Sequence, residues 1–569
     1  MGKEVPASAE VLRPPERADD TGQFPLRRPS ARDTPESLVR SSAVMSLGTA
    51  LSRVTGFLRL AAMTYALGVT ESRLADAYNV ANTTPNIVYE LALGGIISSV
   101  FVPVFVQRLE REGRDQAWHT ARNVLTVATV LLAAVTLGGI LAAEPIVRAY
   151  TARAQGPEAE AQRALASFLL RWFMPQVVFY GLGAGIATGL LNAHRRFGAP
   201  MFAPIANNLV ATATFFLFAA LPGGRTPDTL STAQRYVLAL GTTLGVVAMT
   251  AALWPSLRRI GFRWRWTLDL EDPGLARILR LSGWAVLYVV VNQLGLLVVI
   301  VLAGEVRGGY SAYAAAFIFF QLPHAIFAVS IMTALLPALS SRWARGDRAS
   351  FRDQLAQGIR GTAFIVLPAA LGYLTLAGPI VRLLLENGVA GAASTRLVAS
   401  VLQAFAVGLL SFSAFQLFLR AFYAMQDTRT PALVNVAAVA INTGANLLYV
   451  RFLSVPGLAL GHATAYTFAA VTAGLLLRRR LGGLGGRGLL LFVLKVLAGS
   501  VAAAGVALLV ARGVEESLGV ASLGAQLLQV LGGVGAGVAV YFGVAAALHL
   551  PELQLVTRVI RRAARPAPE

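Results

Sequence analysis

The chain has 569 residues, 56% of them hydrophobic and only 14% charged, with a mean hydropathy of +0.62. Soluble domains carry about 25% charged residues, so this composition excludes an ordinary soluble fold and indicates a polytopic membrane protein. The net charge of +20 belongs in cytoplasmic loops rather than on nucleic acid, and the absence of cysteine excludes disulfides, thiolate metal sites and cysteine nucleophiles.

Residues 1–41 are rich in Pro, Arg, Asp and Glu and poor in aliphatics, which predicts a disordered cytoplasmic tail. No apolar core follows a short basic start, so the first helix must serve as the insertion signal. Apolar runs able to span a bilayer then follow near 43–68, 76–106, 121–147, 165–192, 200–221, 234–255, 279–303, 311–338, 357–385, 396–423, 431–452, 456–477, 489–511 and 522–549, about 14 helices. With the N-terminus placed in the cytoplasm, the inside connections hold roughly 25 Lys and Arg against roughly 10 outside, and both termini fall on the cytoplasmic side.

Two pairs of segments repeat. "NAHRRFGAPMFAPIANN" (192–208) matches "YAMQDTRTPALVNVAAV" (423–439), aligning Ala193 with Ala424 and Pro200 with Pro431. "FVPVFVQRLEREGR" (101–114) matches "LLPALSSRWARGDR" (335–348), aligning Pro103 with Pro337. An offset of six helices preserves orientation, so the expected fold is all-α integral membrane: two six-helix lobes related by a pseudo-two-fold axis along the membrane normal, plus two C-terminal helices. The expected boundaries are 42–256 and 257–481 for the lobes, 482–550 for helices 13 and 14, and 551–569 for a second cytoplasmic tail.

Charges inside spans are costly and usually face a cavity or a partner. Arg53 and Arg59 in the first helix stand about 9 Å apart along the axis and about 120° around it, from which long side chains converge on one anion. The planar guanidinium fork suits phosphate; snorkelling to the interface is the alternative. In the second helix, Asp76 is expected at the outer end and Glu90 near the middle, with Asn79, Asn82, Thr83, Thr84 and Asn86 as a polar stripe and Pro85 as a kink. Glu90 is a candidate counter-ion for either arginine. Arg171, Asn292, Gln293, Gln321, Arg360, Arg420, Asn442, Asn446 and Lys495 each read as interfacial or hydrogen-bonded. No phosphate-binding loop, zinc motif or acidic metal cluster is visible, so the chain reads as a non-enzyme driven by a membrane potential, an ion gradient or its substrate gradient.

"SRVTGFLRLAAMTYALG", "DAYNVANTTPNIVYELALGGIISSVFVPVF", "RFGAPMFAPIANN", "LLPALSSRWARGDRASFRDQ" and "RAFYAMQDTRTPALVNV" together resemble the signature of the MurJ/MviN family, in order over residues 43–450. The resemblance implies a lipid II flippase of the multidrug/oligosaccharidyl-lipid/polysaccharide exporter superfamily in the bacterial plasma membrane. It would carry the undecaprenyl-diphosphate-linked peptidoglycan precursor by alternating access, with a tail groove at helices 13 and 14. It also implies substrate-site roles for Arg53, Arg59, Asp76 and Asn86, with Pro85 beside them. This chain departs from the family pattern at Leu60, at Tyr89 and Glu90, at Phe317 and Ile318, and at Gln321, where charged residues are common. Arg171 or Lys495 are the expected replacements for the lost basic groups. No cofactor is implied beyond a possible sodium ion, for which Asp427, Thr443 and Asn292 are candidates; for Asp427 a helix cap is the alternative. Another lipid-linked oligosaccharide or a drug as cargo, and a non-transporting scaffold that recruits cell-wall synthesis proteins, remain open.

Overall fold

The computed structural model describes residues 35–90, 101–194, 196–281 and 283–553, and every regular element among them is helical. Most of the expected N-terminal tail (1–34), most of the C-terminal tail (554–569) and the middle of the expected second helix (91–100) lie outside the described residues.

α1 (Pro35–Leu67) begins before the expected start near residue 43 and leads through a turn into α2 (Leu74–Tyr89). α3 (Val102–Arg111) and α4 (Arg114–Leu141) come next, then α5 (Ala143–Tyr150) and α6 (Pro157–Phe173). α7 (Gln176–Tyr180), a π-helical turn (Gly181–Ala187) and α8 (Thr188–Ala193) follow Pro175. α9 (Gly198–Ala220) and α10 (Thr232–Arg259) complete the first half, and α11 (Pro273–Leu281) links it to the second. There, α12 (Gly283–Ala303) is followed by α13 (Gly309–Pro323), a second π-helical turn (His324–Ala328) and α14 (Val329–Ala344). α15 (Arg348–Leu385), α16 (Ala392–Val407), α17 (Leu409–Ala424) and α18 (Arg429–Leu481) come next, and α19 (Gly486–Leu518) and α20 (Leu523–Ala547) end the described chain.

Among the described residues, ten helices are long and apolar enough to cross a membrane, or eleven if α16 and α17, bent by 49° at Gly408, count as one span. α18 has 53 residues, about 80 Å if straight, far more than the ~30 Å of a hydrocarbon core. Its helical dihedrals break at Ser454 (φ 55°, ψ −138°), just before Pro456, so two expected spans meet there. α1 is absent from the ten, since Arg53 and Arg59 lower the apolarity of its inner stretch.

Packing follows the two halves of the sequence. α1 packs on α9, α9 on α10, and α2 on α6; α12, α16 and α17 pack on α18, and α13 on α16. α19 and α20 pack on each other and on α15. The first-half core centres on Tyr78, whose ring meets Phe173 and Phe215 edge-on at 5.6 and 5.3 Å. The second-half core gathers Phe320, Phe405, Phe412 and Tyr466 around His462. The repeat is visible in the elements: Ala193 and Ala424 end α8 and α17, and Pro200 and Pro431 are the third residues of α9 and α18. Proline is tolerated there because first-turn amides have no intrahelical partner.

Helix turns near 111–114, 259–273, 344–348, 424–429 and 481–486 lie at one, arginine-rich, end of the bundle; those near 67–74, 304–309 and 385–392 lie at the other. At the arginine-rich end, the linker before α11 is tied to the first half by buried Asp272. Asp272 pairs with Arg108 at 2.7 Å, and Arg108 also donates to Thr120. Burial raises the Asp272 pKa, but hydrogen bonds from the Gly274 N–H, Thr120 and Asn123 and the Arg108 charge outweigh it and hold the carboxyl below its ordinary value.

Candidate functional site

Between α1, α2, α9 and α13 lies a cavity of about 440 Å³, lined by Arg53, Arg59, Asn79, Asn208, Ile318 and Leu322 among others. Its first-half wall is polar because α1 and α9 approach closely. Asn208 donates to the Ser52 carbonyl and the Thr55 hydroxyl, each at 3.1 Å, and Gly48 meets Met201 and Phe202. Arg53 is exposed and Arg59 half-buried, and neither forms an ion pair or hydrogen bond among the described residues. Both guanidinium-bearing residues line the cavity, six residues apart on α1.

The end opposite the arginine-rich one is shut. The buried carboxylate of Asp76 accepts from the Gly308 N–H (2.8 Å) and from the Ser311 N–H and hydroxyl (3.0 and 2.7 Å). Glu71 accepts from the Gly391 N–H (2.8 Å) and the Ser394 hydroxyl (2.8 Å), and from its own loop at Val69 and Thr70. Arg73 donates to the Gly304 carbonyl at 3.1 Å, and the Val389 N–H to the Tyr65 carbonyl at 3.0 Å. Arg307–Glu158 and Arg153–Glu305 ion pairs flank this seam at 2.6 and 3.3 Å. Gly308 and Gly388 hold positive φ, and a Cβ at either would collide with the Val69 or Tyr65 carbonyl, so the seam's closeness requires glycine. Among the described residues, every hydrogen bond between 47–259 and 286–547 lies at this end. Burial raises the Glu71 pKa, but hydrogen bonds from the Gly391 and Val69 N–H groups and Ser394 outweigh it and hold the carboxyl below its ordinary value.

The expected site residues are thus divided. Arg53 and Arg59 line the cavity, whereas the Asp76 carboxylate is taken up in the seam. Asn86 donates to the Asn82 carbonyl one turn back, and Pro85 is buried within continuous α2. Glu90, at the end of α2, is exposed and pairs with neither arginine, which corrects the counter-ion expectation; α2 places it about three turns beyond Asn79, the α2 residue that lines the cavity. Arg171 and Lys495 are both exposed and line no part of the cavity.

A model of the family described as "Lipid II flippase MurJ" matches residues 63–528. The chain belongs to the MurJ family. A probable lipid II flippase MurJ of Rhizobium meliloti (strain 1021) is 29% identical over 93% of this chain and 97% of its own length. The lipid II flippase MurJ of Burkholderia cenocepacia is 28% identical over 78% of this chain and 84% of its own. A solved lipid II flippase MurJ in an inward closed conformation shares the fold with a TM-score of 0.72 and 21% identity, covering 90% of this chain and 100% of that one. An inward-facing multidrug resistance MATE family transporter of the MOP superfamily matches with a TM-score of 0.61 over 76% of this chain.

In this MurJ-family chain the expected cation ligands do not form one site. Asp427 caps α18 through the Thr430 N–H (2.9 Å) and hydroxyl (2.6 Å) and pairs with Arg480 at 2.5 Å. Thr443 lies 14 residues beyond Arg429, about 21 Å along the axis, too far to share an ion with that carboxylate. Asn292 instead joins Gln293, Asn435, Asn442 and His462 around a second cavity of about 250 Å³ inside the second half. A third cavity, apolar and about 540 Å³, runs between α15, α19 and α20; Tyr541 borders it and donates to the Phe364 carbonyl at 2.6 Å.

Proposed function

We propose that this MurJ-family protein is a multi-pass membrane flippase that moves lipid II, the undecaprenyl-diphosphate-linked peptidoglycan precursor, across the bacterial plasma membrane by alternating access. The observation that carries the reading is the pair Arg53 and Arg59, without a hydrogen bond or ion pair among the described residues, in a cavity between two halves whose hydrogen bonds among the described residues lie at one end. A guanidinium facing a cavity within a membrane carries its desolvation cost uncompensated until an anion arrives. A diphosphate supplies several acceptor oxygens in the geometry that arginine forks prefer. The carbohydrate and peptide then occupy the polar cavity, while the isoprenoid chain stays in lipid or in the apolar groove of α15, α19 and α20.

The basic loops favour an orientation with both termini and the arginine-rich end in the cytoplasm. The sealed end then faces outward, and the state described here receives cargo from the inner leaflet. Breaking the seam at Glu71 and Asp76 while the arginine-rich end closes delivers it to the outer leaflet. The test is lipid II translocation by the purified protein in liposomes, with and without an imposed potential. Transport lost in the Arg59→Ala variant supports the reading; full transport by the Arg53→Ala/Arg59→Ala double variant overturns the arginine clamp. Preferential transport of a different lipid-linked oligosaccharide over lipid II would reassign the cargo.

A further inference from the structure

The segment that joins the two halves contains no helix or strand, yet it is firmly held. Between α10 and α11, residues 260–272 run along the side of α4. Arg114, the first residue of α4, donates to the Ile260 carbonyl at 3.2 Å. Further along the helix, the Thr126 hydroxyl accepts from the Thr267 N–H at 3.1 Å, and Asn123 exchanges two hydrogen bonds with the Asp269 backbone. Phe262 is buried against Trp118 and Trp254, and Asp272 returns to Arg108.

The residues of α4 that hold this strap give its depth. Up to Asn123 the helix carries Arg114, Asp115, Gln116, His119 and Arg122; from Val124 to Leu141 it has no charged residue. Thr126 lies 12 residues beyond Arg114, about 18 Å along the axis. The strap therefore enters at the polar end of α4, dips past the start of its apolar stretch at Thr267, and returns to Asp272, which shares Arg108 with Thr120. Thr267 and Asp269 turn to α4, so the residues alternating with them face away: Trp266, Leu268 and Leu270 are 65%, 67% and 71% exposed. Trp264 leans against Trp266, their rings 5.7 Å apart. Arg263 and Arg265 are exposed on the entering limb, and their guanidinium groups have no hydrogen bond or ion pair among the described residues. The acidic groups are placed differently. Asp269 points to His119 at 3.8 Å, Asp272 is buried with Arg108, and Glu271 stands on the returning limb.

We propose that residues 260–272 form a re-entrant strap in the leaflet at the arginine-rich end, and that Arg263 and Arg265 bind the phosphate of an anionic lipid there. Tryptophan is favoured at the hydrocarbon boundary, where Trp266 stands, and Leu268 and Leu270 meet acyl chains. Arginine lays its stem along those chains and extends its charged fork to the phosphate. The occupant is lipid rather than a soluble partner, because the exposed row lies level with the apolar part of a spanning helix. The two free guanidinium groups select an anionic headgroup over a zwitterionic one. This lipid is a resident of the bilayer and not the cargo, since no residue of α4 or of the strap lines the arginine cavity. The strap is tied to the first half and runs directly into α11 and α12, so the bound lipid fixes the connection between the halves at the bilayer surface.

The experiment uses the full-length protein in lipid nanodiscs, with a fluorophore on Leu268→Cys; the chain has no cysteine of its own. Quenching by chain-brominated lipid should exceed quenching by aqueous iodide. The reverse order puts the strap in water and overturns the proposal. Brominated phosphatidylglycerol should quench more than brominated phosphatidylcholine at equal content, with a preference of roughly fivefold in relative affinity for each arginine. R263Q/R265Q should abolish that preference, and R263K/R265K should keep most of it, because lysine retains the charge. R478Q/R479Q removes two exposed arginines elsewhere at the same end and should leave the preference unchanged. A preference that survives R263Q/R265Q, or that falls equally in R478Q/R479Q, overturns the lipid site. Neither result bears on lipid II as the cargo.

Discussion

Asp76 in the first half caps a helix of the second: its Oδ1 accepts both the N–H and the hydroxyl of Ser311, and its Oδ2 accepts the Gly308 N–H. The carboxylate therefore satisfies first-turn amides of α13 that have no intrahelical partner and lies at the positive end of its dipole. Asp76→Ala is expected to weaken closure of this end by about 2 kcal/mol, the scale of a lost charged cap. Thiol labelling at Met63→Cys, on the cavity wall, should become faster from the sealed side; unchanged labelling would remove Asp76 from the seam's energetics.

Glu71 makes the same seam sensitive to acid. Its carboxyl is held below the ordinary value of 4.5, so the closed state gains from ionisation. That gain is fully present above 4.5 and is lost as pH falls through the depressed value. Labelling at Met63→Cys should accelerate on the outer side only under strongly acidic conditions, and Glu71→Gln should remove the pH dependence. A transition centred near neutrality would not come from this group.

Among the described residues Arg53 and Arg59 form no hydrogen bond or ion pair, so Arg59→Ala should leave the thermal midpoint essentially unchanged while transport falls at least tenfold. A large loss of stability would instead mark Arg59 as structural.

The Arg108–Asp272 pair is structural. Asp272→Ala removes the more buried of the two carboxylates paired with Arg108, leaving Glu112 at 3.2 Å, and should cost about 2 kcal/mol, read as a lower unfolding midpoint.

The apolar groove can be filled without distorting its walls. A Cβ at Gly372 meets no atom within 4 Å, so Gly372→Trp adds bulk directly to the cavity. Lipid II transport should fall severalfold while binding of a short-chain diphosphate analogue is retained. Equal loss of both would mean that the groove does not hold the chain.

Much of the fold was legible in the sequence, since apolar length and proline–alanine matches at helix ends are local signals. Arg53 and Arg59 were legible for the same reason, as charges in an apolar helix. Pairings across the fold were not: Glu90 has the right charge and approximate depth for a counter-ion, but α2 carries it away from both arginines. The proposed cation set failed on simple length, because Asp427 and Thr443 lie at different depths of one helix. Glu71 gave no signal, as it lies in a short loop and its partners are chiefly backbone amides.

The seam also has an asymmetric tolerance to sequence change. Two of its acceptors in the first half are side chains, Asp76 and Glu71, which a single substitution can erase. Three of its donors in the second half are main-chain amides, at Gly308, Ser311 and Gly391, which only proline removes. The second-half loops can therefore drift in side chain and still latch, provided the glycines at 308 and 388 persist. Selection on this gate therefore falls on two carboxylates just after α1 and on two glycines in the loops opposite.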